Sequence, residues 1–388
     1  MFSSWLLVWA LAQGDVVTVA AVGDVMLGSA YPEGSPLPPD DGAHLLDEVA
    51  PILGAADIAF GNLEGPLADE GTSTKCGKAR RGGPNGLRPV GGRRGHAAAR
   101  STTAHCYAFR VPTRYGRYLQ AAGFDVMSLA NNHALDVGEA GRQSTMRVLD
   151  ELGIRHSGAP GDVAHLDVRG RRVGVIAFAT YPHSHNLNNV EEARALIRGE
   201  VARNDLVIVS FHGGAEGATR VHVPEGAEMF LDENRGDLRT FAHAAIDEGA
   251  ALVLGHGPHV VRGLEVYKGR LVAYSLGNFA TWGAMNLAGP TGLSLILEVK
   301  LAGDGTFVEG RIHPARQDFP GGPHLDPTGA VIAEARRLSQ EDFGAAAPII
   351  ADDGALCPTP ASAPAPAPAP GSTAATTCGA PGPSSRTP

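Results

Sequence analysis

Phe124-Asp125-Val126-Met127-Ser128-Leu129-Ala130-Asn131-Asn132-His133 begins as an apolar run and ends in two carboxamides and an imidazole. Phe124 to Leu129 reads as a buried strand, so Asn132 and His133 project from its carboxyl end, where α/β folds build their sites. The same punctuation recurs along the chain. Val19 to Val22 runs into Gly23-Asp24, Ile58 to Phe60 into Gly61-Asn62-Leu63-Glu64, and Leu252 to Leu254 into Gly255-His256-Gly257-Pro258-His259. Leu206 to Phe211 runs directly into His212, with Gly213, Gly214 and Glu216 behind it. Any one of these polar pairs is explained by ordinary turn chemistry at a strand end. Five together point to a shared partner, because isolated buried polar groups are costly and rarely accumulate.

Oxygen and imidazole donors gathered in this way, without thiolates, suit one or two divalent ions of the Mn, Zn or Fe kind. An ion held by neutral imidazoles and one or two carboxylates makes hydroxide available at neutral pH, and hydrolysis follows. An imidazole at His133 could protonate a departing oxygen or nitrogen, although a hydrogen-bonded core histidine has the same sequence. Asp136, three residues on, could orient that ring but reads more readily as the cap of the helix that begins near Gly138. Glu216 reaches a metal, a substrate amine or only solvent. Ser275 and Asn278, in the turn after Leu271 to Tyr274, line the same pocket or simply make the turn. Glu265 fits a ladder surface better than the site.

Gly23-Asp24-Val25-Met26, Gly61-Asn62-Leu63-Glu64-Gly65-Pro66-Leu67, Ala130-Asn131-Asn132-His133-Ala134-Leu135-Asp136, His212-Gly213-Gly214-Ala215-Glu216, Gly255-His256-Gly257-Pro258-His259 and Tyr274-Ser275-Leu276-Gly277-Asn278-Phe279 resemble, in order, the motifs of the CapA family. That family is named for poly-γ-glutamate capsule synthesis and is related to calcineurin-like metallophosphoesterases. The resemblance covers residues 17–320 and implies a four-layer α-β-β-α sandwich of metallophosphatase type with a metal centre at one end. By position it implies Asp24 and His259 as first-metal ligands, Asn132, His212 and His256 as second-metal ligands, and His133 as general acid. Asn62 or Glu64 stands where relatives place a bridging carboxylate. The chain departs from the broader pattern at Met26, where those enzymes carry histidine, and at Asn62, where they carry aspartate. A neutral amide does not bridge two cations as a carboxylate does, so Glu64 takes that place or one ion binds.

The motifs spread from Asp24 to Asn278, so one large domain must collect them. Helical stripes are expected over Ala43–Leu53, after Pro112, over Glu139–Leu152 and over Asp237–Glu248. Hairpins are expected at Arg169-Gly170, Lys268-Gly269 and Asp304-Gly305. Helices and strands alternate early and hairpins dominate late, which suits two sheets with outer helices better than one doubly wound sheet.

Of 388 residues, 32 are Lys or Arg and 41 Asp or Glu, a net charge of −9, so nucleic acid is not the expected partner. Residues 1–12 read as a signal peptide, with Ala10-Leu11-Ala12 as a small-residue cleavage site or, alternatively, as part of a first strand. An exported protein of the periplasm, exterior or envelope is expected, without a membrane span in the mature chain. Residues 13–345 form the domain, interrupted by a basic Gly-rich insertion over 71–106, and 346–388 read as a disordered Pro/Ala-rich tail. Gly71 to Arg110 carries nine basic residues and no Asp or Glu, a lobe that attracts an anionic envelope polymer or is merely solvated. Cys76, Cys106, Cys357 and Cys378 fall in two local pairs and are expected to form disulfides, in one of the three pairings that four cysteines allow. The substrate expected is a phosphoester or an amide of such a polymer. The alternative is a non-catalytic accessory that binds the polymer during synthesis or export.

Overall fold

Val17–Met26 and Ile58–Leu63 are buried along almost their whole length, the signature of strands covered on both faces. In the computed structural model, which describes residues 16–75, 107–283 and 285–359, they lie side by side and parallel at the centre of a ten-stranded sheet. Val126–Ser128 and Arg155–Ser157 extend it in parallel on one side. On the other side the first half of Val17–Met26 pairs antiparallel with Leu293–Leu301, while its last residues pair in parallel with Asn278–Thr281. The edge thus changes partner just before Asp24.

The second sheet has seven strands and a parallel heart, Arg171–Ala179, Leu206–His212, Leu252–His256 and Arg270–Ala273. Alternation along single strands creates the layers. Val19 and Ala21 face a core shared with Leu206, Ile208, Leu252 and Leu254 of the second sheet. Ala20 and Val22 face outward onto Leu53, Leu119 and Leu149 of the helices Ala50–Leu53, Gly116–Ala122 and Gly138–Glu151. Val207 and Val209 face the helices Val190–Val201 and Leu238–Asp247, where Ile197, Phe241 and Ala245 meet them. The result is the expected helix–sheet–sheet–helix sandwich. Ala330–Phe343 packs Val331, Ile332 and Ala335 into the core between the sheets.

The expected hairpins form, and two show why the sequence folds there. Arg169 and Gly170 have φ of 55° and 80°, and Lys268 and Gly269 have 49° and 74°, the left-handed pair that a two-residue turn needs to match strand twist. The stripe Ala43–Leu53 becomes regular helix only over Ala50–Leu53, after a series of hydrogen-bonded turns, yet Leu46, Val49 and Leu53 still reach the core.

Residues 346–357, placed in the tail by their composition, belong to the sheet instead. Ile349–Ile350 and Ala355–Cys357 pair with each other, and the latter pairs with Phe307–Gln317, burying Ile350 and Leu356. The Pro/Ala repeat beyond 359, the expected signal peptide over 1–12 and the insertion beyond Lys75 lie outside the described residues, as do Cys76, Cys106 and Cys378. Among the described residues no helix is long and apolar enough to cross a membrane.

Candidate metal centre

Five strand ends from both sheets converge where the two sheets meet. Asp24 sits where the register of its strand shifts against both parallel neighbours, and Asn62 and Asn278 lie level with it. Gly23 permits this approach, since a Cβ there would lie 1.9 Å from the Gly277 carbonyl oxygen. In the second sheet His212 and His256 are direct parallel partners. Gly257, at φ 114°, lets the chain pass the Gly213 backbone, and His259 then adopts φ 58°, a conformation that costs a non-glycine residue and recurs at functional sites.

The side chains meet across these ends. His212 Nε2 lies 2.7 Å from Glu64 Oε1, and His259 Nδ1 lies 2.9 Å from Asp24 Oδ2 and 4.0 Å from Glu64 Oε2. His256 Nδ1 is 3.5 Å from Asp24 Oδ1. Ligand atoms of Asp24, Glu64 and His259 lie within 4.8 Å of one another. Asp24, Glu64 and His256 are fully buried and His212 is 1% exposed.

Several of these atoms have no protein partner. Both ring nitrogens of His256, Nδ1 of His212, Oε2 of Glu64 and Oδ1 of Asn132 are buried without a hydrogen bond. Unsatisfied buried polar atoms are scarce in folded proteins, and five of the twelve found among the described residues belong to these four residues. Three imidazole nitrogens and two oxygens are also the donor types that a divalent first-row ion takes, so the residues fit such an ion.

Asn62 does something other than the ligation expected of it. Its Nδ2 donates to Asp24 Oδ1 at 2.8 Å and to Glu64 Oε1 at 3.3 Å, while its oxygen accepts from Asn131 Nδ2 at 3.0 Å. Asn131 is fixed in turn by donating to the Leu63 carbonyl and accepting from the His133 N–H. The amide of Asn62 therefore faces two carboxylates as a donor and separates them. Met26 packs in the helix-side core, away from the cluster.

Burial works to raise the Asp24 carboxyl, yet the His256 and His259 imidazoles beside it hold it well below the ordinary carboxylate range. Burial and the charge of Asp24 push Glu64 up to about 7. Burial also opposes charge on His259, but Glu64 and Asp24 overcome it and raise the imidazole to about 10. His212 is driven well below its usual value by burial and by the Arg235 charge.

Beside the cluster, His133 Nδ1 lies 2.7 Å from Asp136 Oδ2, which also accepts the Phe109 N–H at 2.7 Å. Lys75 Nζ bonds the other oxygen of Asp136 and the Asn132 carbonyl. The helix cap belongs to Val137, which makes no side-chain cap bond, so Asp136 orients His133 and does not cap the helix. His133 Nε2 lies 3.2 Å from Asn132 Nδ2.

His133, Asn132, Glu216, His259 and Asn278 line a cavity of about 660 Å³, walled further by Tyr181, His183 and Arg235. Asn278 Oδ1 lies 3.1 Å from His259 Nδ1, and Glu216 accepts from Arg235 Nη1 at 2.7 Å. Ser275 is not brought to the cavity: its hydroxyl donates to the Val260 carbonyl and accepts the Gly277 N–H, which makes it a turn residue. Glu265 joins a separate cluster with His243 and Tyr274. Asn131 and Arg235 had escaped the sequence reading. Asn131 sits inside a motif whose neighbours carry the evident donors, and Arg235 follows no apolar run.

A four-layer α/β sandwich with a buried acid–imidazole centre at the meeting of its sheets is the class that fold and site define. The family model of the bacterial capsule synthesis protein PGA_cap matches residues 18–82 and 89–281, more than half of the chain. The chain belongs to that family. It is 27% identical over 292 residues to the capsule biosynthesis protein CapA of Bacillus anthracis, covering 69% of this chain and 60% of that protein. It is 25% identical over 283 residues to the PGA biosynthesis protein CapA of Bacillus subtilis, covering 68% of this chain and 63% of that protein. The chain thus spans less than two thirds of the length of these relatives. Among solved structures it is similar to a 5'-nucleotidase precursor from Thermus thermophilus, with 13% identity, TM-score 0.40 and coverage of 77% of this chain and 54% of that one. It is also similar to a purple acid phosphatase from yellow lupin, with 11% identity, TM-score 0.36 and coverage of 80% and 54%.

Proposed function

We propose that this member of the capsule synthesis family is an exported, metal-dependent hydrolase that cleaves a phosphoester or an amide of an anionic envelope polymer. The observation that carries the reading is the set of buried, unpartnered atoms on Glu64, Asn132, His212 and His256. Asp24 and His259 complete the group that would hold the ion, and Asn62 keeps the two carboxylates apart. When bound, a divalent ion supplies Lewis acidity toward the substrate and makes hydroxide available at neutral pH. His133 exchanges a proton with the substrate at Nε2, because Nδ1 is committed to Asp136. The Phe109 N–H and Lys75 hold Asp136 in place, so the ring keeps one orientation. The burial of the cluster keeps bulk water from the carboxylates.

A second reading, an accessory that binds polymer without cleaving it, is favoured by Met26 and Asn62, which remove two ligands found in the broader enzyme class. Export rests on the apolar leader at residues 1–12. Metal analysis of the purified full chain, followed by assay against a generic phosphodiester and γ-linked glutamate oligomers, separates the readings. Bound Mn, Zn or Fe with turnover of either substrate supports the hydrolase. A metal-free protein whose melting temperature is unmoved by these ions removes it.

A further inference from the structure

Two arginines are buried almost completely on this side of the molecule, and they are treated differently. Arg262, 0% exposed, donates from Nε to the Arg220 carbonyl, from Nη1 to Glu228, and from Nη2 to Glu228 and the Ala215 carbonyl. Every nitrogen is used. Arg235, 1% exposed, donates only from Nη1, to Glu216, and its Nε and Nη2 have no partner. Arg235 also lines the 660 Å³ cavity beside the metal centre, whereas Arg262 does not.

Its position is set by the backbone. Arg235 N–H donates to the Glu228 carbonyl at 2.8 Å, and its carbonyl accepts the Gly214 N–H at 2.7 Å, so the residue is tied to the loop that leaves His212. The short hairpin of Met229–Phe230 and Glu233–Asn234 precedes it and contributes Phe230, Leu231 and Glu233 to the cavity wall. Nε and Nη2 form one edge of the guanidinium, and that edge is spaced to donate two parallel hydrogen bonds to the two oxygens of an oxyanion.

We propose that Arg235 is a substrate-binding residue that seats an oxyanion of the substrate, a carboxylate or a phosphate, next to the metal centre. This rests on the hydrolase reading for the word substrate, and it names the chemical class the cavity accepts. Glu216 is the positioning residue: by holding Nη1 it turns the free edge of the guanidinium away from itself. A neutral amide or ester offers that edge an uncharged acceptor where an oxyanion offers two charged oxygens, so the cavity favours the anion.

The test is calorimetric titration of the purified full chain, with metal content matched between variants, using glutarate, inorganic phosphate and the uncharged glutaramide as probes. Glutarate or phosphate binds and glutaramide does not; tighter glutarate assigns the seat to carboxylates and tighter phosphate assigns it to phosphates. Arg235→Gln weakens the preferred anion by about tenfold or more, the loss of a bidentate charged contact. Glu216→Gln removes the nearer of two competing carboxylates, Glu233 Oε2 lying 3.8 Å from Nη1, and tightens the anion several-fold, and this variant decides the matter if Arg235→Gln does not fold. Equal binding of glutaramide, anion affinity unchanged in folded Arg235→Gln, or anion affinity unchanged or weaker in Glu216→Gln overturns the assignment. Binding is read without turnover, so Arg235-dependent anion binding in a protein that cleaves nothing would overturn the hydrolase alone. Cleavage without such binding would overturn the Arg235 seat alone.

Discussion

Two acid–imidazole clusters occupy the second sheet and its surroundings, one fully buried and one with its imidazole part-exposed, and they are wired in opposite ways. In one, Glu265 accepts from His243 Nε2 at 3.0 Å and from the Tyr274 hydroxyl at 2.7 Å, and His243 stacks on Tyr267 with ring centroids 3.8 Å apart. None of its polar side-chain atoms is left buried and unpartnered. In the other, Glu64, His212 and His256 leave four such atoms among them. Composition does not distinguish a structural cluster from a site; the balance of donors and acceptors does, because an unmet buried polar atom is tolerated only where something else meets it.

The sharpest way to break this contrast is to remove a ligand from the unsatisfied cluster. His256→Ala should reduce metal affinity by more than the roughly 10–100-fold that loss of an orienting partner costs, as read by metal analysis after dialysis. Turnover should vanish with the metal. Metal content equal to that of the unaltered protein would end the comparison. The next effect is on His133: His133→Ala should lower turnover about 100–10,000-fold with metal retained, and Asp136→Asn should lower it less, since the ring remains but loses its fixed orientation. Unchanged turnover in His133→Ala would remove the proton-transfer role.

The saturated cluster should respond in stability alone. Glu265→Ala strands His243 and the Tyr274 hydroxyl and should cost about 1–3 kcal/mol in denaturant unfolding, without change in metal content. A change in metal binding would mean that the two clusters are coupled.

The smallest effect expected is one of pH. Glu64 and His259 both titrate in the folded metal-free protein above their ordinary values, at about 7 and about 10. Their contribution to stability is therefore present at low pH and lost as pH rises through those values. The melting temperature of metal-stripped protein should fall as pH rises from 4.5 through about 7, where Glu64 loses its proton, and on from 6.5 toward about 10, where His259 does. Metal binding requires both groups deprotonated, so the increment in melting temperature on adding metal should grow over the same range. A metal-stripped protein that gains stability through this window would contradict the charge balance described for the centre.

Much of this was legible in the chain. Apolar β-rich runs followed at once by Gly-Asp, Gly-Asn or Gly-His are visible as strands that end in polar groups, and period-two alternation from Val19 to Val22 fixes which layer each residue faces. Asp24, Glu64, His212, His256 and His259 were recognisable because each is anchored to such a run. The roles of Asn62 and Asn131 were not, since the orientation of an amide depends on partners that only the fold supplies. Arg235 was invisible because a turn, held by the Glu228 and Gly214 backbone, carries it to the cavity. Ser275 misled because a serine that makes a turn and one that lines a pocket look alike in sequence. The strands of 349–357 were hidden by the Pro/Ala composition that begins just after them.

The most direct measurement is an anomalous difference map from crystals of the full chain grown with manganese. The account predicts a peak among Glu64, Asn132, His212 and His256, with an imidazole nitrogen of His256 at about 2.0–2.3 Å from it. A map without a peak there, in which the His256 ring is hydrogen-bonded to protein groups on both nitrogens, would contradict it.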